Sequence, residues 1–223
     1  ISKRMEHQHI PGDDARAILE SERQFIQWRF DAMNRRYGDD ATETLRAAFL
    51  RRGVKGKSAL SYAESWNEQL LVWVDYGSNF YEYHLDALDA SIAHLKGQTR
   101  VYSGETAYIV QGIDAWVEIH KKLKSLFEEM IDRMAEEAYE LDQAFGYADQ
   151  ISKVADQYLT QGLQAGEGYD YSKADKEKEA ALIPLREKNK EHTQRANQAH
   201  EKRQRIREEI INLSETRVFS SLS

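Results

Sequence analysis

Pro11 and Pro184 are the only prolines in a chain of 223 residues. A sequence with so few breakers and so many regularly spaced apolar residues forms long helices, not a turn-rich sandwich or barrel. Apolar residues make up 41%, enough to fill a core and too many for a disordered chain. Cysteine is absent, which excludes disulfides, thiolate metal sites and thiol nucleophiles. The net charge of −7 speaks against general nucleic-acid binding. No apolar run approaches the roughly 18 residues of a membrane span.

Residues 1–12 are polar and end on the turn signal Pro11-Gly12, after which Asp13 and Asp14 can cap a helix. Ile18, Phe25, Ile26, Phe30, Met33 and Tyr37 form one helical face. A short helix follows to about Leu50, then a basic, glycine-broken loop at 51–57. Ser61 and Glu64 have capping-box spacing. Behind them Trp66, Leu70, Trp73, Phe80, Leu88 and Leu95 recur in steps of mostly three and four, predicting one long helix that ends at Gly97. Residues 97–104 make a short connection, and short connections favour antiparallel neighbours. A second long helix starts near Glu105, with a face running from Trp116 through Met130 to Tyr158, and ends at Gly162, Gly166 and Gly168.

The last helix runs from about Lys173 to Leu213. Its seam is Leu182, Leu185, Asn189, His192, Ala196, Ala199, Arg203, Ile206, Ile210 and Leu213, a heptad pattern with a polar or small middle. The tail beyond it is expected to fray. No segment reads as a strand. The expectation is an all-α protein, an elongated antiparallel helical hairpin or bundle with a coiled-coil-like C-terminal helix. Its segments are 1–56, a helical start; 57–165, the long hairpin; and 166–223, the heptad helix and tail.

Chemistry-bearing patterns are weak. Gly53 to Ser58 ends like a phosphate-binding loop, but Arg51 stands where the first glycine is needed and a helix precedes it. Glu82/His84 and Glu118/His120 are spaced by two, so neither pair shares a helix face as a di-metal site requires. No nucleophile elbow is present. No catalytic, cofactor-binding or metal-ligating residue is assigned, and the chain is read as a non-enzyme without cofactors.

The turn reads Val101-Tyr102-Ser103-Gly104-Glu105, followed by Trp116, and further on comes Tyr171-Ser-Lys-Ala-Asp175. Over roughly residues 58–176 this resembles the WxG family of helical-hairpin proteins exported by type VII secretion. In that family a Trp-x-Gly turn joins two antiparallel helices, and a Tyr-x-x-x-Asp/Glu signal directs export. Tyr102 stands here in place of the tryptophan. The resemblance implies that Tyr102 and Gly104 form the turn motif and that Tyr171 and Asp175 form the export signal. It also implies a protein secreted without a cleavable signal peptide, or cytoplasmic before export, that meets secretion machinery.

Three functions follow as expectations. The first is an exported or partner-binding helical protein. The second is a scaffold, such as a virion component, assembling as a homo-oligomer or with a protein partner through the seam Leu182, Leu185, Ile206, Ile210 and Leu213. The third is a membrane-active protein that unfurls its aromatic hairpin.

Overall fold

The computed structural model describes residues 8–223, so part of the polar start, residues 1–7, lies outside the described residues. The all-α expectation holds. In chain order the elements are β1 (His9–Pro11), α1 (Gly12–Asn34), a π-helical turn (Arg35–Asp39), α2 (Ala41–Arg52) and α3 (Gly56–Trp66). A 3-10 turn (Asn67–Leu70), a second π-helical turn (Trp73–Gly77), α4 (Ser78–Leu95), β2 (Arg100–Tyr102), α5 (Ser103–Gln164) and α6 (Tyr171–Ser214) follow. Two compact units result. One holds the residues up to Thr44 with Trp66–Met130 and Arg205–Ser223; the other holds Leu45–Ser65 and Ile131–Gln204. They cut across the three consecutive segments expected from the sequence, because α5 and α6 each contribute one stretch to either unit.

In the first unit α1, α4 and the start of α5 enclose an aromatic core. Trp73, Phe80, Tyr81, Trp116 and Phe127 are all fully buried. Phe80 stacks on Trp116 at 5.6 Å, Trp73 meets Phe127 edge-on at 5.6 Å, and Phe30 of α1 stacks on Tyr81 at 5.6 Å. Such pairs add to the apolar area each ring removes from water. The Trp73 indole N–H donates to Asn34 Oδ1 at 3.2 Å, and Arg23 grips both carboxylate oxygens of Asp89 through Nε and Nη2. The expected reversal is present, since α4 and α5 run antiparallel, but its corner is Gly97, with φ at +85°, and Gly104 lies inside the first turn of α5.

Three further expectations are corrected here. The predicted single helix 61–97 is broken at residues 67–77. The π-helical turn inserts a residue into the helical phase, so Tyr81, His84 and Leu85 join Phe80 and Leu88 in the core while Tyr76 and Tyr83 stay part-exposed. Gly77 makes the break compact: a Cβ there would lie 2.5 Å from Trp73 Cε3 and 3.0 Å from Phe127 Cζ. A strand pair also exists. β1 pairs antiparallel with β2, His9 opposite Tyr102 and Pro11 opposite Arg100. Pro11-Gly12 is therefore a strand end that passes directly into α1, and Asp13 and Asp14 sit in the first turn without capping it. A Cβ on Gly12 would fall 1.8 Å from the Gln98 carbonyl oxygen, so the two backbones meet only because glycine is there.

The tail is docked, not frayed. Phe219 is buried against His84, with ring centroids 4.7 Å apart. The Leu222 amide donates to Ser91 Oγ at 2.9 Å. Arg217 lies over the Tyr83 ring at 4.3 Å.

The second unit is built from most of α2, α3, the latter part of α5 and the first part of α6. Its core is Leu45, Phe49, Ala59, Ala63, Met134, Ala138, Leu182, Ala196 and Ala199. The basic loop shrinks to Gly53–Lys55. The Val54 amide donates to the Phe49 carbonyl and the Gly53 amide to the Leu50 carbonyl, both at 3.0 Å, a paired closure of the helix end with Val54 buried beneath it. Since α3 begins at Gly56, Ser61 and Glu64 lie inside a helix and form no capping box.

Candidate docking surface

α6 begins where Asp170 caps it. Asp170 Oδ1 accepts the Lys173 amide at 3.0 Å and its carbonyl accepts the Ala174 amide at 3.0 Å. A short polar side chain of this kind satisfies an otherwise open N–H of the first turn. The sequence places the start near Lys173, whereas the helix begins at Tyr171 with Asp170 as its cap. Tyr171 therefore stands at the first helical position with its side chain 62% exposed. Its hydroxyl donates to the Gly162 carbonyl at 3.3 Å, and its ring meets Tyr169 edge-on at 4.8 Å. Asp175, one turn on, is exposed and pairs with Lys178 at 3.2 Å.

Tyr171 and Asp175 line the same groove, of about 480 Å³, between the end of α5 and the start of α6. Its walls are apolar: Tyr158, Leu159 and Leu163 from α5, Tyr171 and Leu182 from α6. Leu159 is 62% exposed and Leu163 79%. The rim is ionic, with Glu179 and Arg186 joined at 2.7 Å. Phe145 and Ile183 are also exposed large apolar side chains of this unit. A cluster of exposed apolar residues with a charged rim has the anatomy of a protein-docking surface.

Tyr102 and Gly104 belong to the other unit and contribute nothing to this groove. The Tyr102 ring packs on His9, with centroids 4.2 Å apart, and is half exposed. It thus stands on the strand pair, as part of β2 and not of a turn.

The heptad seam is correctly phased and is consumed within the chain. Leu182, Ile206 and Ile210 are buried, and Leu185 and Leu213 are half-buried. In the second unit its polar members face α5. Asn189 Nδ2 donates to the Ala144 carbonyl at 2.7 Å, and His192 Nδ1 lies 2.5 Å from Glu140 Oε2. Arg203 pairs with Glu137 at 3.2 Å, with His200 beside them. Tyr147 stacks on His192 at 5.6 Å. Burial holds the Arg203 guanidinium below its ordinary range, against the attraction of Glu137. In the second unit the partner of the seam is therefore α5 of the same chain, which supplies the carboxylates Glu137 and Glu140.

The sequence offers no cue for the His84–tail contact beyond the apolar pair Val218-Phe219 in a polar terminus. It also gives no cue for a basic hollow beside Trp28, described below. Among the described residues no group of three histidines or acids could hold a metal, and no helix is long and apolar enough to cross a membrane. No protein-family model matches the sequence, and neither curated proteins nor solved structures give a significant match.

Proposed function

We propose that this chain is a non-enzymatic docking protein that engages a protein partner through the groove formed by the end of α5 and the start of α6. One observation carries the reading: Tyr171 and Asp175 stand one turn apart beside the exposed Leu159 and Leu163, in a single groove. An exposed ring, a carboxylate and two leucines supply the aromatic anchor, polar contact and apolar contact that hot spots combine. The resemblance to type VII substrates names the kind of partner, a secretion component that reads an aromatic and an acid at a helix start.

Tyr171→Ala and Asp175→Ala test this in a secreting host. Both variants are expected to keep the far-UV circular dichroism of the parent and to lose export or partner capture. Normal export of both would end the proposal.

A second reading, self-association as a scaffold, draws on Phe145 and Ile183, which add exposed apolar surface to the same unit. It moves the assembly surface away from the buried seam. Light scattering on Ile183→Glu, with an unchanged mass per particle, would remove it.

A further inference from the structure

A second concave site lies in the first unit. α1 presents Trp28 and Met33 toward it, the π-helical turn that follows adds Arg36, and α5 brings His120 and Lys124. The hollow has a volume of about 340 Å³. Its wall includes the Trp28 indole, 71% exposed. Exposing that much of the largest apolar side chain is costly unless the ring meets something.

The charged side chains that line the hollow, Arg29, Arg36 and Lys124, are all cationic. Arg29 is fixed by its own helix: Nη1 donates to the Phe25 carbonyl at 3.2 Å, and the guanidinium lies 3.4 Å from the Phe25 ring centroid. Arg36 meets its carboxylate, Glu128, only at 4.0 Å, the outer limit of an ion pair. Lys124 adds a third cation. This is a local positive excess on a chain whose net charge is −7.

His120 completes the arrangement. Its Nδ1 lies 2.7 Å from the Tyr81 hydroxyl and its ring stacks on Trp116 at 5.2 Å. Burial pushes the Tyr81 phenol up, so it keeps its proton and can donate to Nδ1. That leaves Nε2–H as the donor of the ring. Burial, Arg29, Lys124 and Lys121 push His120 down to about 4, so the imidazole is neutral and its N–H is a fixed hydrogen-bond donor at neutral pH.

We propose that this hollow binds a small aromatic anion, its ring against Trp28 and Met33 and its charged head between Arg36 and Lys124. The chemistry matches at both ends. Cations grouped around an acceptor make short, charge-assisted hydrogen bonds, and an apolar wall with a few fixed polar groups is the usual make-up of a small-molecule site. A bare inorganic anion would leave the indole uncovered, and a neutral ring would make no use of the lining cations.

The test is titration of the full chain with phenyl phosphate, followed by tryptophan fluorescence and calorimetry. Inorganic phosphate and phenol form the two control arms. Saturable binding of phenyl phosphate is expected, at least about tenfold tighter than either control. Arg36→Gln and Lys124→Gln should each weaken it about tenfold. Trp28→Ala should abolish the preference over inorganic phosphate while leaving the melting temperature near that of the parent. All three side chains are exposed, so the variants fold. No saturable binding to the parent chain overturns the proposal. So does equal affinity for inorganic phosphate, or unchanged affinity in an Arg36→Gln/Lys124→Gln double variant.

Discussion

His84 Nε2 accepts the Val218 amide across 3.3 Å while Nδ1 of the same ring donates to the Phe80 carbonyl at 2.6 Å. One fully buried imidazole thus ties the C-terminal tail to α4, and it does so only when neutral. Protonation would set two N–H donors against each other.

Acid should release this tie. Burial, aided by the nearby Arg217 charge, lowers His84 from 6.5 to about 4. The unfolded chain therefore binds more protons than the folded one between those values. The stabilisation is complete above pH 6.5 and is lost as the pH falls toward 4. A shift of this size corresponds to about 3 kcal/mol. Thermal melts from pH 7 to 4.5 should show a falling midpoint, with a shallower slope in His84→Gln. Protection of the Val218 amide from hydrogen exchange, taken relative to its intrinsic rate at each pH, should fall over the same range.

Phe219→Ala should cost about 3 kcal/mol, because it empties a site closed by His84 and Gly112. Urea denaturation measures this. A change under about 0.5 kcal/mol, the range of ordinary surface substitutions, would mean that the tail adds little to the first unit.

Gly77→Ala should destabilise by about 1–3 kcal/mol, the range for overpacking a filled core. The new methyl would press on the Trp73 and Phe127 rings, which are packed on both sides. Near-ultraviolet circular dichroism should change with it, since the tryptophan environment is what moves.

Glu140→Ala leaves the half-buried His192 beside an empty place and should cost about 2 kcal/mol. The Glu140→Leu/His192→Leu double variant should recover most of that loss, because an apolar pair fills the same space without desolvating a charge. A double-mutant cycle reads the coupling directly.

Much of this architecture is legible in residue spacing. The seam from Leu182 to Leu213 has the right phase because a heptad repeat is local information, and its positions along α6 are buried or half-buried. The aromatic face is legible at Leu70, Trp73, Phe80, Leu88 and Leu95, all buried, but the burial of Tyr81, His84 and Leu85 beside them is not, since the π-helical turn that widens the buried face is stabilised by tertiary packing at Gly77. The partner of the seam is not legible. Spacing shows which side of a helix is covered but not by what, and Glu137 and Glu140 resemble solvent-facing acids until Arg203 and His192 stand opposite. The pairing of β1 with β2 escapes for the same reason: three-residue strands carry no periodicity, and their contact depends on the Gly12 approach to Gln98. In the docking groove, the Tyr171 and Asp175 spacing was readable, whereas the exposure of Leu159 and Leu163 was not.

The polar groups between α5 and α6 also settle how the two helices can slide. A zipper of leucines and alanines alone would close almost as well after shifting by one heptad. Such a shift here would carry Asn189 away from the Ala144 carbonyl and leave the buried Glu140 and Glu137 without the His192 and Arg203 side chains that face them. The ladder therefore admits one alignment, and it gives up some binding strength to exclude the misthreaded forms that a greasier pair of helices would sample.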